Sequence, residues 1–152
     1  PYIGRRWARF PELIPVEKVG AASRNDIALL RPIDRSFQPP VCIPLADPWD
    51  LIQGVPVLAI GNPNGLRFNA VTGNISSPTG TRYSIDRIRS EGCVTVTAPI
   101  NGGNSGGPVF VITPGGIRVA GVVVGKDRYA EGIAFVIPAD RVTYAMIEVK
   151  ST

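Results

Sequence analysis

Glycine and proline recur along the whole length of this chain, and that restricts its fold more than any other feature. There are 17 glycines and 15 prolines in 152 residues, dispersed rather than gathered into one linker. Proline breaks helix interiors and removes a backbone donor; glycine also weakens helices. The stretches between them are short and rich in Val, Ile and Thr, which suit a pleated, half-buried surface. Short runs at regular spacing, separated by turn signals, predict an all-β sandwich or barrel. The candidate strands are Asp26–Leu30, Pro56–Ile60, Asn69–Ser76, Val94–Ala98, Pro108–Ile112, Arg118–Val124 and Gly132–Ile137. Turns are expected at Asn62-Pro63-Asn64-Gly65, Ser77-Pro78-Thr79-Gly80 and Thr113-Pro114-Gly115-Gly116.

One helix is expected, after Pro138, where Val142, Tyr144, Ala145, Met146 and Ile147 supply an apolar side and Asp140 a capping carboxylate. The segment Phe37–Ile52, with Pro39, Pro40 and Pro44, reads as an extended connection. It divides the chain into residues 1–36, the remnant of a first packed unit, a connection over 37–51, and a nearly complete second unit over 52–152.

Apolar residues make up 44% of the chain, enough for a packed core. Charged residues make up 18%, below the ~25% usual for soluble domains, which argues against disorder. No stretch approaches the ~18 uninterrupted apolar residues of a membrane helix. The opening residues carry no initiator Met and no apolar run before a small-residue cleavage site, so the chain is expected to start inside a longer polypeptide. The formal charge of +4 implies a mildly basic surface and no nucleic-acid partner. Arg5, Arg6 and Arg9 with Trp7 and Phe10 form the one cluster of basic and aromatic residues, and it lies at the terminus. Cys42 and Cys93 form no C-x-x-C pair; one disulfide or two buried thiols are both open, and so is the compartment. The chain has no histidine, so any mechanism with an imidazole base must take it from another segment or chain.

The most specific chemistry lies in Asn101-Gly102-Gly103-Asn104-Ser105-Gly106-Gly107-Pro108. A nucleophilic serine must project from a tight turn whose backbone N–H groups converge where an oxyanion forms. Glycines on both sides allow such a turn, and Pro108 starts the strand that follows. Ahead of it, Asn25-Asp26-Ile27-Ala28-Leu29-Leu30 places an acid at the head of an apolar strand, by itself no more than a polar turn residue.

The serine segment resembles the active-site loop of chymotrypsin-fold serine proteases, and Asn104 before the serine resembles the HtrA/Deg branch. The Asp26 segment is similar to the one that bears the orienting aspartate in this superfamily, and the order Asp then Ser agrees with it. Ala59-Ile60-Gly61-Asn62-Pro63-Asn64-Gly65, Val71-Thr72-Gly73-Asn74-Ile75-Ser76 and Gly132-Ile133-Ala134-Phe135-Val136-Ile137-Pro138 resemble further HtrA-like strands, so the likeness runs from about Asp26 to Val142.

The resemblance implies a chymotrypsin-like double β-barrel, the second barrel nearly complete and the first partial, with a short terminal helix. It implies a serine endopeptidase acting on polypeptide, with Ser105 as nucleophile and Asp26 holding the imidazole tautomer. Gly103 and Ser105 would supply the oxyanion hole. Thr95–Gly102 together with Gly121–Lys126 would line the P1 pocket, with Ala98, Pro99, Ile100, Val123, Val124 and Gly125 as the substrate-binding residues, and an apolar P1 residue follows from the lack of an acid in the first stretch. No metal or organic cofactor is required. The sequence departs from the pattern in three places: the histidine segment of the first barrel is missing, no PDZ segment follows the helix, and Val124 stands where the family usually has Ser or Thr. A catalytically inactive relative serving as an interaction domain therefore stays open beside the active protease, as does an unrelated β-barrel binding module.

Overall fold

The computed structural model describes residues 14–22, 25–66, 68–85, 88–127 and 131–150. The basic-aromatic cluster at residues 5–10 lies outside them. Eight strands and one helix carry the architecture. Strands β1 (Val16–Ala22) and β2 (Ile27–Pro32) form a two-stranded antiparallel sheet. Strands β3 (Pro56–Gly61), β4 (Asn69–Ile85), β5 (Ile88–Thr97), β6 (Pro108–Thr113), β7 (Gly116–Lys126) and β8 (Ile133–Pro138) close into a barrel of order β3-β4-β5-β8-β7-β6. Helix α1 (Ala139–Lys150) follows β8 directly. This is the expected fold: one closed barrel, one partial sheet and a short terminal helix.

Alternation along the strands builds the barrel core. Val57 and Ala59 of β3, Val94 and Val96 of β5, and Val109 and Val111 of β6 all point inward and are buried. Burying each of these valines contributes about 1.5–3 kcal/mol before chain entropy is counted. β8 is buried on both faces because it serves two clusters. Ala134 and Val136 face the barrel interior, while Phe135 and Ile137 join Cys93 and Val124 in a second cluster. Against that second cluster pack Ile27 of β2 and Val142 of α1. The helix also packs against both β1 and β7, so it bridges the small sheet and the barrel.

Three sequence expectations change. Ser77-Pro78-Thr79-Gly80 is not a turn, since β4 runs through it to Ile85. The ladder accommodates Pro78 in a bulge: Ser77 pairs with Thr95 and Thr81 with Cys93, leaving residues 78–80 opposite Val94 alone. Proline's missing donor costs nothing where the ladder is already open. Next, β1 carries Glu17, Lys18, Gly20 and Ala21 and has no clear strand pattern, yet it pairs with β2 along its length. Asp140, finally, sits inside the first turn of α1 rather than ahead of it, and accepts the Arg141 N–H at 2.8 Å.

The Phe37–Ile52 connection is strapped to the barrel wall. Val119 of β7 donates to Pro44 O and accepts from Ala46 N, both at 2.8 Å, which buries Ala46 beside the core. Cys42 and Cys93 do not form a disulfide; Cys93 is buried and Cys42 exposed. No helix among the described residues is long and apolar enough to cross a membrane.

Candidate active site

The loop from Asn101 to Gly107 joins β5 to β6 and folds over the end of β3. Its carbonyls are tied down: Asn62 N bonds Gly103 O at 3.1 Å and Asn64 N bonds Gly102 O at 3.2 Å. On its other side Gly106 N bonds Val123 O at 2.8 Å, and Val123 N bonds Gly107 O at 2.9 Å. Anchored on both flanks, the loop lifts Ser105 into solvent while Asn104 beside it is 2% exposed. Gly103 has φ of 101°, a region L side chains rarely enter, and a Cβ there would run into Asn62 O. Among the described residues the N–H groups of Gly103 and Ser105 donate no hydrogen bond, whereas those of Asn104 and Gly106, on either side of Ser105, donate to Asn101 O and Val123 O. Two unpaired, exposed donors flanking a hydroxyl are suited to receive an anionic oxygen.

The Ser105 hydroxyl donates to Val124 O at 3.3 Å. That carbonyl is available because Val124 is the extra residue of a bulge: Val123 pairs with Val136 and Gly125 with Phe135. Bulges of this kind re-aim groups beside active sites.

Asp26 opens β2 from the other sheet. Its φ is 52°, a left-handed conformation that Asp tolerates better than most residues, and its carboxylate is exposed. Ile27, next in sequence, is held against the second apolar cluster, which contains Val124. Asp26 and Ser105 are thus placed by neighbours that share one packing unit.

A cavity of about 550 Å³ opens beside the loop. Ala98, Pro99 and Ile100 form one wall with Asn101, while Gly132 and Ile133 stand opposite. Val123 turns into the barrel core and Val124 into the second cluster, so their side chains do not line this cavity. Lys126, the end of the stretch Gly121–Lys126 expected to line the pocket, does line it; sequence reasoning missed Asp127 and Glu131, which line it as well. They come from the β7–β8 hairpin, whose ends meet where Asp127 N bonds Ile133 O at 2.9 Å. The signal was present: two adjacent antiparallel strands must return their connecting loop to the end of the barrel that holds the serine loop.

Comparison with known proteins agrees with this fold. The family described as "Trypsin-like peptidase domain" matches residues 10–125. A probable periplasmic serine endoprotease DegP-like of Rickettsia prowazekii is 35% identical over 123 residues, covering 80% of this chain and 24% of that protein. The serine protease PepD of Mycobacterium tuberculosis is 33% identical over 151 residues, covering 91% of this chain and 32% of the relative. The chain therefore spans about a quarter to a third of the length of these curated relatives. Among solved structures, the active form of the Rv3671c protease from M. tuberculosis superposes with a TM-score of 0.71 at 26% identity, over 91% of this chain and 60% of that one. The HtrA-type protease AlgW with a decapeptide also reaches a TM-score of 0.71, at 24% identity, over 91% of this chain and 41% of that one.

Proposed function

We propose, from the premise that this chain belongs to the trypsin-like peptidase domain family, that it is the serine-bearing part of an HtrA-like serine endopeptidase that cleaves polypeptides through an acyl-enzyme. Ser105 is the nucleophile. A histidine from polypeptide outside these residues takes its proton as Oγ attacks the substrate carbonyl carbon. The N–H groups of Gly103 and Ser105 receive the oxyanion, and Asp26 orients the imidazole and stabilises its protonated form. Collapse of the intermediate breaks the C–N bond, and the imidazolium gives its proton to the leaving amine. Water, deprotonated by the same imidazole, then hydrolyses the ester. The observation that carries this reading is an exposed serine on a doubly anchored glycine loop with two unpaired N–H groups beside its hydroxyl.

The cavity that meets the serine loop at Asn101 is the proposed P1 pocket. Ala98, Ile100 and Ile133 favour an apolar side chain, although the acid absent from Thr95–Gly102 is present on the hairpin, where Asp127 and Glu131 also line the cavity. Bound there, the substrate meets Lys126, Asp127 and Glu131 at the hairpin.

The full-length polypeptide, treated with a fluorophosphonate, is expected to be labelled at Ser105, with labelling and turnover both lost in Ser105→Ala. Labelling that survives this substitution unchanged removes the assignment. The 152-residue chain alone, having no histidine, is expected to turn over peptide several orders of magnitude more slowly than the full-length protein. Val124, where the family usually has Ser or Thr, favours a second reading, an inactive relative used for binding. Failure of the full-length protein to cleave any unstructured polypeptide would favour it.

A further inference from the structure

Asparagine followed by glycine occurs twice in the chain, at Asn64-Gly65 and Asn101-Gly102. The fold brings the two pairs together, since Asn64 N–H donates to Gly102 O at 3.2 Å. Asparagine is a thermolabile residue, because the backbone nitrogen of the next residue can attack its side-chain amide carbon. A following glycine has no Cβ to obstruct that approach. The structure holds the two pairs differently. Asn64, with φ of 51°, and Gly65 are the central residues of a turn that Leu66 N–H closes on Pro63 O at 2.9 Å. Asn101 stands at the head of a turn rather than inside it, where its carbonyl accepts Asn104 N–H at 3.1 Å. Both Asn101 and Gly102 are exposed. Among the described residues the Asn101 side-chain amide makes no hydrogen bond and the Gly102 N–H donates none. Neither reacting group is therefore held away from the other.

We propose that Asn101-Gly102 is a site of spontaneous deamidation, and that the modification inactivates the serine loop as the protein ages. Hydroxide takes the Gly102 amide proton, and the nitrogen attacks Asn101 Cγ. A C–N bond forms, the Cγ–Nδ2 bond breaks, and the amide nitrogen leaves as ammonia with a proton from water. Water then opens the resulting succinimide at either carbonyl, giving aspartate or isoaspartate at position 101. In isoaspartate the backbone runs through the former side chain and is one carbon longer. That carbon enters the loop just ahead of its anchors. It parts Asn101 O from Asn104 N–H, and it shifts the Gly102 and Gly103 carbonyls that Asn64 and Asn62 hold. The N–H groups of Gly103 and Ser105 move with them. Either product also adds a carboxylate to the wall of the cavity where Asp127 and Glu131 already stand. The loss of catalysis rests on the assignment of Ser105 as nucleophile; the modification itself does not.

The chemistry is read in the full-length polypeptide carrying Ser105→Ala, which cannot digest itself. It is aged at mildly alkaline and at mildly acidic pH, and each asparagine is followed by peptide mapping and isoaspartyl methyltransferase labelling. Conversion of amide to acid is expected at Asn101 ahead of Asn64, faster at the alkaline pH. Gly102→Ala should suppress it; Gly102 has no positive φ and a Cβ there would meet nothing within 4 Å, so the fold accepts the change. Should that variant not fold, Asn101→Gln, whose longer side chain closes the ring poorly, serves in its place. The consequence is read in the full-length protein with Ser105 intact. Its peptidase activity and fluorophosphonate labelling should fall in step with the fraction converted. Each modified molecule should lose about 100-fold in kcat, the size that a misplacement of about 1 Å produces. Gly102→Ala, aged alongside, should keep its own starting activity. An Asn101 that stays intact while Asn64 converts overturns the proposal. So does conversion at Asn101 that leaves activity and labelling unchanged, or a Gly102→Ala protein that converts as fast as wild type. Fluorophosphonate labelling that survives Ser105→Ala removes the nucleophile assignment instead, and the mass change at position 101 is read independently of it.

Discussion

Asn104 is 2% exposed, and neither its amide oxygen nor its amide nitrogen bonds any described protein group. It lies so close to Gly61 that a Cβ there would collide with its side-chain oxygen. A buried polar group without a protein partner is costly, and a buried charge much more so. Asn104→Asp is therefore expected to destabilise the protein by about 3–5 kcal/mol at neutral pH, the range for an uncompensated buried charge. Burial would hold the new carboxyl's folded pKa above its unfolded value of about 3.9. The folded state then binds more protons, so stability falls as pH rises from about 3.9 through the folded pKa. Thermal melts at pH 3.5 and pH 7 check this: the variant should approach wild type at the lower pH and diverge at the higher. An equal deficit at both would mean that shape rather than charge is at fault. The glycine-serine run showed which hydroxyl is exposed; the burial of Asn104 depends on β3, far away in sequence, and could not be read from the loop alone.

At the scale of elements, the β1–β2 sheet is held by its ladder and by charge on its surface. Glu17 lies opposite Arg31 in register, and its carboxylate accepts from Arg31 at 3.0 Å and Arg35 at 2.6 Å. The hydrogen bond from Arg31, and then the charge of Arg35, hold the Glu17 pKa below its usual value. A depressed carboxylate contributes stability that is present above its unfolded pKa and lost as pH falls through its folded pKa. Both partners are exposed, so the contribution is small and weakened by salt. Amide exchange in β1 and β2 should accelerate relative to the barrel when pH drops below about 4, after correction for intrinsic exchange. Glu17→Gln should remove that pH dependence. Barrel amides that change in parallel would show instead a global effect. The same scale shows where sequence reading failed. Pro78 and Gly80 have the composition of a turn, but whether a proline ends a strand depends on whether the neighbouring strand needs its donor, and here a bulge removes that need.

For the whole molecule, the barrel is closed and has no free edge, whereas the small sheet consists of two strands with Val16, Val19 and Leu30 exposed. Two strands with an apolar face are marginal without further cover. The domain reading, a partial first barrel completed by other polypeptide, predicts different exchange in the two units. In the 152-residue chain alone β1 and β2 should exchange far faster than β3–β8; in the full-length polypeptide their protection should approach that of the barrel. Equal protection in the short chain would mean that the sheet and α1 suffice by themselves.

What the sequence determined by itself was local: strands between glycine and proline breaks, the exposed serine turn, the terminal helix, and an acid at the head of an apolar strand. These depend on dihedral preference and on alternation over a few residues, and they were legible from Asp26, Ser105 and Pro138 onward. The tertiary structure alone decided how they meet. It made Val124 a bulge with its carbonyl at Ser105, brought Asp127 and Glu131 to the cavity, and carried β4 through Pro78. Each of these is fixed by pairing and packing between segments distant in the chain, where a residue's environment comes from its partner strand and not from its sequence neighbours.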